Sequence, residues 1–365
     1  MCTAVTDPAF FVVPLDDHLV HRGHAVFDTC NVKNGRAYGL SFHLERFLRS
    51  AELARIRHPY KKEELRAIIL RTIAATGMRD NIFVRYWMGA GRGDFTVTPK
   101  NSTGATFYVC VHGDGRNSGT VSTGPSTQER GRREFMSDAP LKPPLLAGIK
   151  STNYLLNALC AMDSEGAGGA LGIQADADGR VMESSIANIA IVDQCGVLRT
   201  PKFEGILAGT TVKRAFVLAP RLLEAGLLEG FELGDVLVEE FSTAQEVMSF
   251  GGGHCVPVVE INGEKIGSGT PGPVWQALNR LLEEDMEDSE YLDQVPYKEM
   301  EAQRRPMQRD AGSQRALAAG ASGSSSSMRG FDVLAGAAYG YSASTLLSVT
   351  TVAALTGVIL ARVLM

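Results

Sequence analysis

The stretch Gly148-Ile149-Lys150-Ser151-Thr152-Asn153-Tyr154 decides how the fold of this sequence is interpreted. Lys150 follows an apolar, proline-marked approach at residues 143–147 and precedes Ser151 and Thr152, which are residue types that cap helices. In the helix expected next, apolar side chains recur at three- and four-residue spacing on one face, at Leu155, Leu156, Leu159 and Met162.

The position of Lys150 between a predicted strand and a predicted helix suggests a chemical role. We expect apolar surroundings for its amine, and burial lowers the pKa of an ammonium because it disfavours the charged form. A neutral amine is a nucleophile that forms a Schiff base with an aldehyde. The alternative is a solvated surface charge, which is the more common state of a lysine. The residue types alone leave both interpretations open.

The composition is typical of a globular protein with a sizeable core. The chain has 365 residues, of which 44% are hydrophobic and 21% charged, enough for two compact domains and a tail. A net charge of −5 and a pI of about 5.9 argue against nucleic acid as a partner. Six single cysteines without C-x-x-C spacing indicate reduced thiols and no zinc site. The first residues lack the basic character of a leader, so we expect a cytoplasmic protein.

The order of strand and helix patterns predicts an α/β (α+β) protein of two domains. Residues 1–120 mix both patterns, contain a hairpin signal at Asn34-Gly35, and end in a Gly/Asn/Ser-rich segment. They are expected to form a small α/β domain. Residues 121–284 contain Lys150 and a second set of strand patterns, and are expected to form the larger domain.

The composition changes after residue 284. An acidic stretch and a Gly/Ala/Ser-rich run predict a disordered linker at residues 285–331. Residues 332–365 contain no charge between Asp332 and Arg362, a length that can span hydrocarbon as a helix. We expect a membrane anchor there, with the domains on the cytosolic face of an organelle membrane, because arginines precede the apolar segment. Interspersed hydroxyl residues leave a docked or disordered tail as the alternative.

Several polar residues are candidates for binding an anion or a ring nitrogen. Thr210 and Thr211 follow a glycine at a predicted helix start, where free N–H groups and the helix dipole favour a phosphate; an ordinary capped helix is the alternative. Glu183 ends a predicted strand, and an inward carboxylate there would need a cation such as a protonated pyridine nitrogen. Thr243 could add a hydroxyl, and Arg46 is either a phosphate clamp or a solvated helix charge.

Six motifs occur in order within residues 18–280: Phe42-His43-Leu44-Glu45-Arg46-Phe47, Ile149-Lys150-Ser151-Thr152-Asn153-Tyr154, Met182-Glu183-Ser184-Ser185-Ile186-Ala187-Asn188, Ile206-Leu207-Ala208-Gly209-Thr210-Thr211, Ser242-Thr243-Ala244-Gln245-Glu246-Val247, and Ile266-Gly267-Ser268-Gly269-Thr270-Pro271-Gly272-Pro273. Together they resemble the class IV (fold-type IV) aminotransferases, the pyridoxal-phosphate family that contains D-amino-acid transaminases, branched-chain aminotransferases and aminodeoxychorismate lyases. The run from Val20 to Thr29 is most similar to the plant-type D-amino-acid transaminases.

The resemblance implies pyridoxal 5'-phosphate as the cofactor and a role for each motif. Lys150 would form the Schiff base and carry a proton during the reaction, and Glu183 would pair with the pyridine nitrogen. Leu207 would pack on the ring. The phosphate would be held by four residues: Arg46, Thr210, Thr211 and Thr243. The resemblance also implies a homodimer whose sites lie between the two domains.

The substrate side of the expected site departs from the family patterns. Phe27-Asp28 stands where many D-amino-acid transaminases have Tyr-Glu, and their Pro-Arg-x-His carboxylate trap is missing. Arg92, in the glycine-rich run at residues 89–94, is the candidate for gripping a substrate carboxylate in bidentate fashion, and Arg85 is the second candidate. A solvent-exposed loop arginine remains the alternative for Arg92. Phe27 is expected to line the pocket.

The expected activity is transamination of a D-amino acid such as D-alanine with a 2-oxo acid acceptor. Three alternatives stay open: an aminodeoxychorismate lyase of 4-aminobenzoate and folate synthesis, a branched-chain L-amino-acid aminotransferase, and a non-catalytic membrane-tethered binding protein. The intact lysine, glutamate and phosphate motifs weigh against the last of these.

Overall fold

The computed structural model describes residues 2–5, 7, 10–113, 130–302 and 359–363. In chain order the strands are β1 (Cys2–Val5), β2 (Ala25–Lys33), β3 (Arg36–Tyr38), β4 (Ile82–Gly89), β5 (Thr106–Gly113), β6 (Arg132–Glu134), β7 (Ile173–Ala175), β8 (Val181–Ser184), β9 (Asn188–Val192), β10 (Val197–Thr200), β11 (Gly230–Leu233), β12 (Glu246–Gly251), β13 (His254–Ile261), β14 (Glu264–Lys265), β15 (Leu292–Gln294) and β16 (Ile359–Val363). The α-helices are α1 (His18–His21), α2 (Leu40–Leu53), α3 (Lys62–Thr76), α4 (Pro144–Ala147), α5 (Leu155–Gly166), α6 (Thr210–Leu218), α7 (Pro220–Glu224) and α8 (Pro273–Glu287). The mixed α/β class expected from the sequence is confirmed.

The first sheet is antiparallel, and its described strands run in the order β1-β16-β5-β4-β2-β3-β15. Side chains alternate along β2, so that Val26, Cys30 and Val32 point into a core covered by α2 and α3. Between β2 and β3 the chain turns at Asn34-Gly35, both with positive φ, as the hairpin signal predicted.

The second sheet follows the path β11-β10-β9-β12-β13-β14, with β6 paired to β13, and β7 joined to β9 through β8. Its central strand β9 is buried at all five positions because both of its faces are covered. Ala190 and Val192 pack with residues of α6 and α8. Ile189 and Ile191 face a separate apolar cluster on the other side. Five consecutive buried positions are typical of a strand between two cores.

The linker expected from residue 285 does not begin there. Helix α8 continues to Glu287, β15 pairs with β3 of the first sheet, and residues 297–302 are helical. Asp285 is buried, where it accepts hydrogen bonds from Tyr38 and, at 2.8 Å, from Nε of Arg214. The acidic composition was misleading because this carboxylate is neutralised by a tertiary ion pair. Residues 303–331 of the expected linker lie outside the described residues.

The expected membrane anchor overlaps the described chain at one short segment. Residues 359–363 form β16, a strand between β1 and β5 of the first sheet, so the expected helix does not extend over them. Within the described residues, none of the helices is both long and apolar enough to span a bilayer. The remainder of the expected anchor, residues 332–358 and 364–365, falls outside the described part of the chain.

Helix α5 does not bury the apolar face that the sequence predicted. Leu155, Leu159 and Met162 are exposed, with 72%, 37% and 61% of their surface accessible. The buried positions of α5 are instead Asn157, Cys160 and Ser164. The helix therefore presents an apolar stripe outward from the single chain.

Candidate active site

A cavity is lined by several of the residues that the sequence singled out. Lys150, Glu183 and Leu207 all contribute to its wall, together with Lys142, Tyr154 and Asn157. These side chains come from the segment around Lys150, from β8 and from the approach to α6. Glu183 follows Lys150 by 33 residues, and Leu207 follows Glu183 by 24 residues. The fold brings all three to the wall of the same cavity.

The segment that carries Lys150 is fastened to the start of β2 by backbone hydrogen bonds. The Phe27 N–H donates to the Lys150 carbonyl at 2.9 Å, and the Thr152 N–H donates to the Ala25 carbonyl at 3.0 Å. From α2, the Ser50 hydroxyl accepts a hydrogen bond from the Lys150 N–H at 3.1 Å. The backbone of Lys150 is thus held from two directions, which leaves its side chain to define the cavity wall.

The capping role expected for Ser151 and Thr152 is wrong. Helix α5 begins only at Leu155, and its N-cap residue Tyr154 forms no side-chain capping bond. The Thr152 hydroxyl donates to the Gly23 carbonyl at 2.9 Å. Ser151 pairs with Val26 of β2 as an isolated β-bridge. This segment therefore attaches to β2 and does not cap a helix, a contact that helix propensities do not predict.

Two aromatic rings border the Lys150 amine. Its Nζ lies 3.3 Å from the Tyr154 hydroxyl and 4.7 Å from the centre of the Phe27 ring. The two rings contact each other edge to face, with centres 5.1 Å apart. Phe27, expected to line the pocket, is thus placed beside the amine, although it reaches the site from the first sheet. The rings shield the amine from water on this side.

Glu183 is the one carboxylate in the described wall of the cavity. It is half-buried, and its Oε2 accepts a hydrogen bond from the Leu207 N–H at 3.2 Å. Burial raises the pKa of Glu183, against the opposing effects of this hydrogen bond and of the Lys142 and Lys150 charges. Burial thus penalises the ionised carboxylate, and a protonated ring nitrogen beside it would supply the positive charge that offsets this cost.

The turn before α6 depends on a glycine. Asn188 donates from Nδ2 to the Leu207 carbonyl at 2.9 Å, and a Cβ at Gly209 would lie 1.9 Å from Oδ1 of the same asparagine. Only glycine fits at this position. Helix α6 then begins at Thr210, so its first N–H groups have no partner within the helix and can bind an anion.

The threonines expected at the phosphate site have different surroundings. Thr211 is buried, and its hydroxyl oxygen accepts a hydrogen bond from the Gly253 N–H at 3.0 Å. Thr243 is exposed, and its hydroxyl donates to the Glu240 carbonyl at 3.3 Å. Neither residue, nor Thr210, contributes to the wall of the cavity. Thr210 and Thr211 are adjacent at the start of α6, and the structure brings none of the three threonines to the cavity wall.

Arg46 is committed to a buried carboxylate. Its Nε and Nη2 donate to Asp28 at 2.8 and 2.7 Å, and the Nδ1 of His43 lies 2.9 Å from the same carboxylate. Burial alone would raise the pKa of Asp28, but the charges and hydrogen bonds of Arg46 and His43 hold it well below its usual range. Burial lowers the pKa of His43, so the ring is neutral at pH 7 and donates its Nδ1 hydrogen to Asp28.

The two arginines considered for a substrate carboxylate differ in their partners. Arg92 forms a bidentate ion pair with Asp16, at 3.0 and 3.2 Å, on an exposed loop. Arg85 lies on β4, with its guanidinium carbon 5.7 Å from the centre of the Phe27 ring, and its recorded hydrogen bond goes to the Thr29 hydroxyl at 3.1 Å. The ring that touches Lys150 therefore also touches Arg85, whereas Arg92 is already neutralised.

The cavity has the polar character that pyridoxal phosphate requires. Two buried atoms on its wall, Oδ1 of Asn157 and Oγ of Ser185, have no hydrogen-bond partner within the described structure. Such atoms are costly unless a ligand or water satisfies them. An amine, an acid with a raised pKa and the start of α6 fit the aldehyde, the ring nitrogen and the phosphate. In the described ranges, no cluster of three or more His, Cys, Asp or Glu is arranged to hold a metal ion.

Several residues of the site were missed by sequence reasoning. Tyr154 lies in one of the recognised motifs, but no role was predicted for it. Lys142 precedes two prolines and Asn157 lies within a helix, and neither position carries a local signal of function. Asp28 could have been found, because an acid at an inward position of an alternating strand needs a cationic partner.

Comparison with known proteins identifies the family. The model of the class IV amino-transferases matches residues 25–261, more than half of the chain. The chain therefore belongs to the class IV aminotransferases, and it is a pyridoxal-phosphate-dependent enzyme that transfers amino groups.

Individual relatives agree with this assignment. The chain is 41% identical to the chloroplastic D-amino-acid transaminase of Arabidopsis thaliana over 283 residues, which cover 77% of this chain and 73% of that protein. It is 29% identical over 228 residues to a bifunctional aminodeoxychorismate lyase / D-amino acid transaminase of Mycobacterium tuberculosis, over 59% and 75% of the two chains. The solved structure of the branched-chain amino acid aminotransferase from Escherichia coli shares the fold, with a TM-score of 0.69, 22% identity and coverage of 78% and 94%.

The Asp28 cluster gives a pH-dependent prediction for stability. Asp28→Asn is expected to lower the free energy of unfolding at pH 7 by about 3 kcal/mol, because Arg46 is left without its buried counter-charge. The folded-state pKa of Asp28 lies below the unfolded value of about 3.9, so its stabilisation is complete above that pH and is lost as the pH falls. Urea unfolding should therefore show the two proteins converging below about pH 4.

The control for this prediction is Asp138→Asn, at an exposed position. It should leave the unfolding midpoint unchanged at every pH. A deficit for Asp28→Asn that stayed constant from pH 7 to pH 3 would contradict the ionic origin of the effect.

Proposed function

We propose that this aminotransferase acts on D-amino acids, such as D-alanine, with a 2-oxo acid as the acceptor. The 41% identity with a plant D-amino-acid transaminase over most of both chains supports this substrate class. The observation that carries the proposal is the joint placement of Lys150 and Glu183 on one cavity, because amino-group transfer needs both a nucleophilic amine and an acid partner for the ring.

Pyridoxal phosphate, when bound, supplies an aldehyde and a protonated ring that withdraws electrons from the substrate's α-carbon. In this proposal Lys150 anchors the cofactor through Nζ, and the same nitrogen accepts the proton released at that α-carbon. Tyr154 and Phe27 keep water from Nζ, and the Tyr154 hydroxyl, 3.3 Å away, orients it. The attachment to β2 leaves the backbone of Lys150 in place while its side chain changes role.

Glu183, as a carboxylate whose Oε2 is oriented by the Leu207 N–H, would accept a hydrogen bond from the protonated ring nitrogen and so keep that proton on the ring. Leu207 itself would pack on the ring. The start of α6, with Thr210 and Thr211, would bind the phosphate through its free N–H groups, with Thr243 as a further hydroxyl. Arg46 would contribute its charge and remaining N–H group, because two of its nitrogens are held by Asp28.

For the substrate's α-carboxylate, the contacts favour Arg85 over Arg92. Arg85 shares the Phe27 ring with Lys150, and no ion pair is recorded for it within the described residues. Using Arg92 would require breaking its bidentate pair with Asp16. A second candidate activity, the release of pyruvate from aminodeoxychorismate, is favoured by the similarity to the bifunctional lyase and transaminase.

The exposed apolar stripe of α5 supports a homodimer. Leu155, Leu159 and Met162 share one face of the helix, and an apolar face of this kind on a soluble domain marks an interaction surface. A second copy of the chain would cover it through a two-fold interface.

The apolar carboxyl-terminal segment supports attachment to a membrane, with the enzyme on its cytosolic side. The relative that is chloroplastic by name makes an organelle a reasonable location. The strand β16 counts against a span that includes residues 359–363, because those residues pair with β1 and β5 of the first sheet.

The substrate proposal is tested with three separate incubations: D-alanine with 2-oxoglutarate, L-leucine with 2-oxoglutarate, and aminodeoxychorismate. D-alanine is expected to be consumed fastest, and Lys150→Ala is expected to lose about 10³-fold or more in rate because both the anchor and the base are removed. Lys298→Ala, at an exposed position, is the matched control and should keep full activity. Consumption of L-leucine alone would refute the D-amino-acid proposal.

The dimer proposal predicts a light-scattering mass of about twice 39.2 kDa for the purified protein. Leu155→Glu should lower this mass toward one chain, because it places a charge in the apolar stripe. Val97→Glu, at an exposed apolar position of a loop, is the control. A wild-type protein with the mass of one chain would rule out the dimer.

The membrane proposal predicts that deletion of residues 332–365 moves the protein from the membrane fraction to the soluble fraction. If the distribution between the fractions does not change while the melting temperature falls, the tail completes the first sheet and does not anchor the chain.

A further inference from the structure

Lys142 is a second amine on the wall of the cavity, and none of the steps above uses it. It lies directly before Pro143 and Pro144, outside any described helix or strand, and it is half-buried. Its Nζ is 4.7 Å from the centre of the Tyr154 ring, which also borders Lys150. Burial lowers the pKa of Lys142, while the nearby Glu183 charge acts in the opposite sense. The Lys142 amine therefore lies at the cavity wall with reduced access to solvent.

The charges around the cavity are unbalanced. Its described wall contains two amines and one carboxylate, Glu183, and that carboxylate accepts the Leu207 N–H and faces the expected ring nitrogen. No ion pair joins Lys142 to a carboxylate in the ranges that the structure describes. Glu183 acts on the Lys142 charge but forms no ion pair with it, so this half-buried ammonium favours a further, anionic ligand.

Two cations without an ion pair in the described structure, Lys142 and Arg85, each lie next to one of the two aromatic rings beside Lys150. The Tyr154 ring lies next to the Lys142 amine, and the Phe27 ring lies next to the Arg85 guanidinium. These ring centres are 5.1 Å apart, and Lys150 Nζ lies 4.7 Å from the Phe27 centre and 5.9 Å from the Tyr154 centre. A monocarboxylate substrate would use only one of the two cations. A substrate with two carboxylates would use both.

We propose that Lys142 is a substrate-binding residue for the dicarboxylic member of the exchange, the 2-oxo acid acceptor with a carboxylate at the far end of its side chain and the amino acid formed from it. It binds this distal carboxylate, while Arg85 binds the α-carboxylate. The inference rests on the proposed transaminase function for the identity of the substrate, and on the unpaired charge for the role of Lys142. A planar guanidinium suits the fixed α-carboxylate, whereas a flexible ammonium can follow side chains of different length.

The test measures binding without turnover, on the full chain with its cofactor. Glutarate is a dicarboxylate without an amino or oxo group, and propionate is the matching monocarboxylate; both are titrated by calorimetry. The variants are Lys142→Met, Lys142→Arg and Arg85→Met, with Lys298→Met as the exposed control. In parallel, KM is measured for 2-oxoglutarate and for pyruvate, and the visible absorption of the bound cofactor is recorded for each protein.

Lys142→Met is expected to weaken glutarate binding by about 10-fold or more, the loss of one charge-assisted contact, and to raise KM for 2-oxoglutarate similarly. Its affinity for propionate, its KM for pyruvate and its cofactor absorption should stay within about twofold of wild type. Lys142→Arg should restore most of the glutarate affinity because it restores the charge. Arg85→Met should weaken both acids.

Equal effects of Lys142→Met on glutarate and propionate would overturn the proposal, as would a loss of cofactor absorption, which would make Lys142 a cofactor ligand. Failure of the proposed function is recognised separately. In that case wild type would transfer no amino group from any amino acid tested, whereas the glutarate titration would still report on Lys142.

Discussion

The site depends on the pairing of residues 150–152 with the first residues of β2. Two backbone hydrogen bonds, between Phe27 and Lys150 and between Thr152 and Ala25, join the segment that carries Lys150 to the first sheet. Because these bonds involve only the backbone, they hold the lysine whatever its side chain is doing. The same pairing brings Phe27 beside Lys150, so one contact positions the nucleophile and part of its shield.

The charged groups around this pairing form two sets. Between β2 and α2, Asp28 neutralises Arg46 and orients a neutral His43, which fixes α2 against β2. On the cavity itself, Glu183 is the only described carboxylate, and burial raises its pKa. Positive charge is therefore balanced in the interior and left in excess at the cavity, where anionic ligands bind. This asymmetry follows from burial, since an unpaired charge is tolerated only where a ligand or solvent can reach it.

Local signals in the sequence were sufficient for features that depend on neighbouring residues. The Asn34-Gly35 hairpin and the helix start after Gly209 follow from backbone preferences and are present in the structure. The family could be recognised because several ordered motifs surround Lys150. Contacts between distant segments could not be predicted in this way. The pairing of Arg46 with Asp28 and the approach of Lys142 to Tyr154 depend on tertiary packing that no local pattern contains.

Composition was a weaker guide at the surface and near the carboxyl terminus. Asp285 lies in an acidic stretch that resembles a linker, yet it is buried against Tyr38 and Arg214. The apolar stripe of α5 was predicted from its spacing, and its side chains are exposed in the single chain. The acidic charge and the apolar spacing were both identified correctly from the sequence. The groups that contact them were not, because a sequence pattern identifies a charged or apolar surface but does not show what packs against it.

The central claim is that Lys150, and not the neighbouring Lys142, is the amine that holds the cofactor. The most direct measurement is borohydride reduction of the purified enzyme, followed by proteolysis and mass spectrometry of the labelled peptide. We expect a single phosphopyridoxyl group on Lys150. A label on Lys142, or an unlabelled Lys150 in an enzyme that is fully active, would contradict this claim.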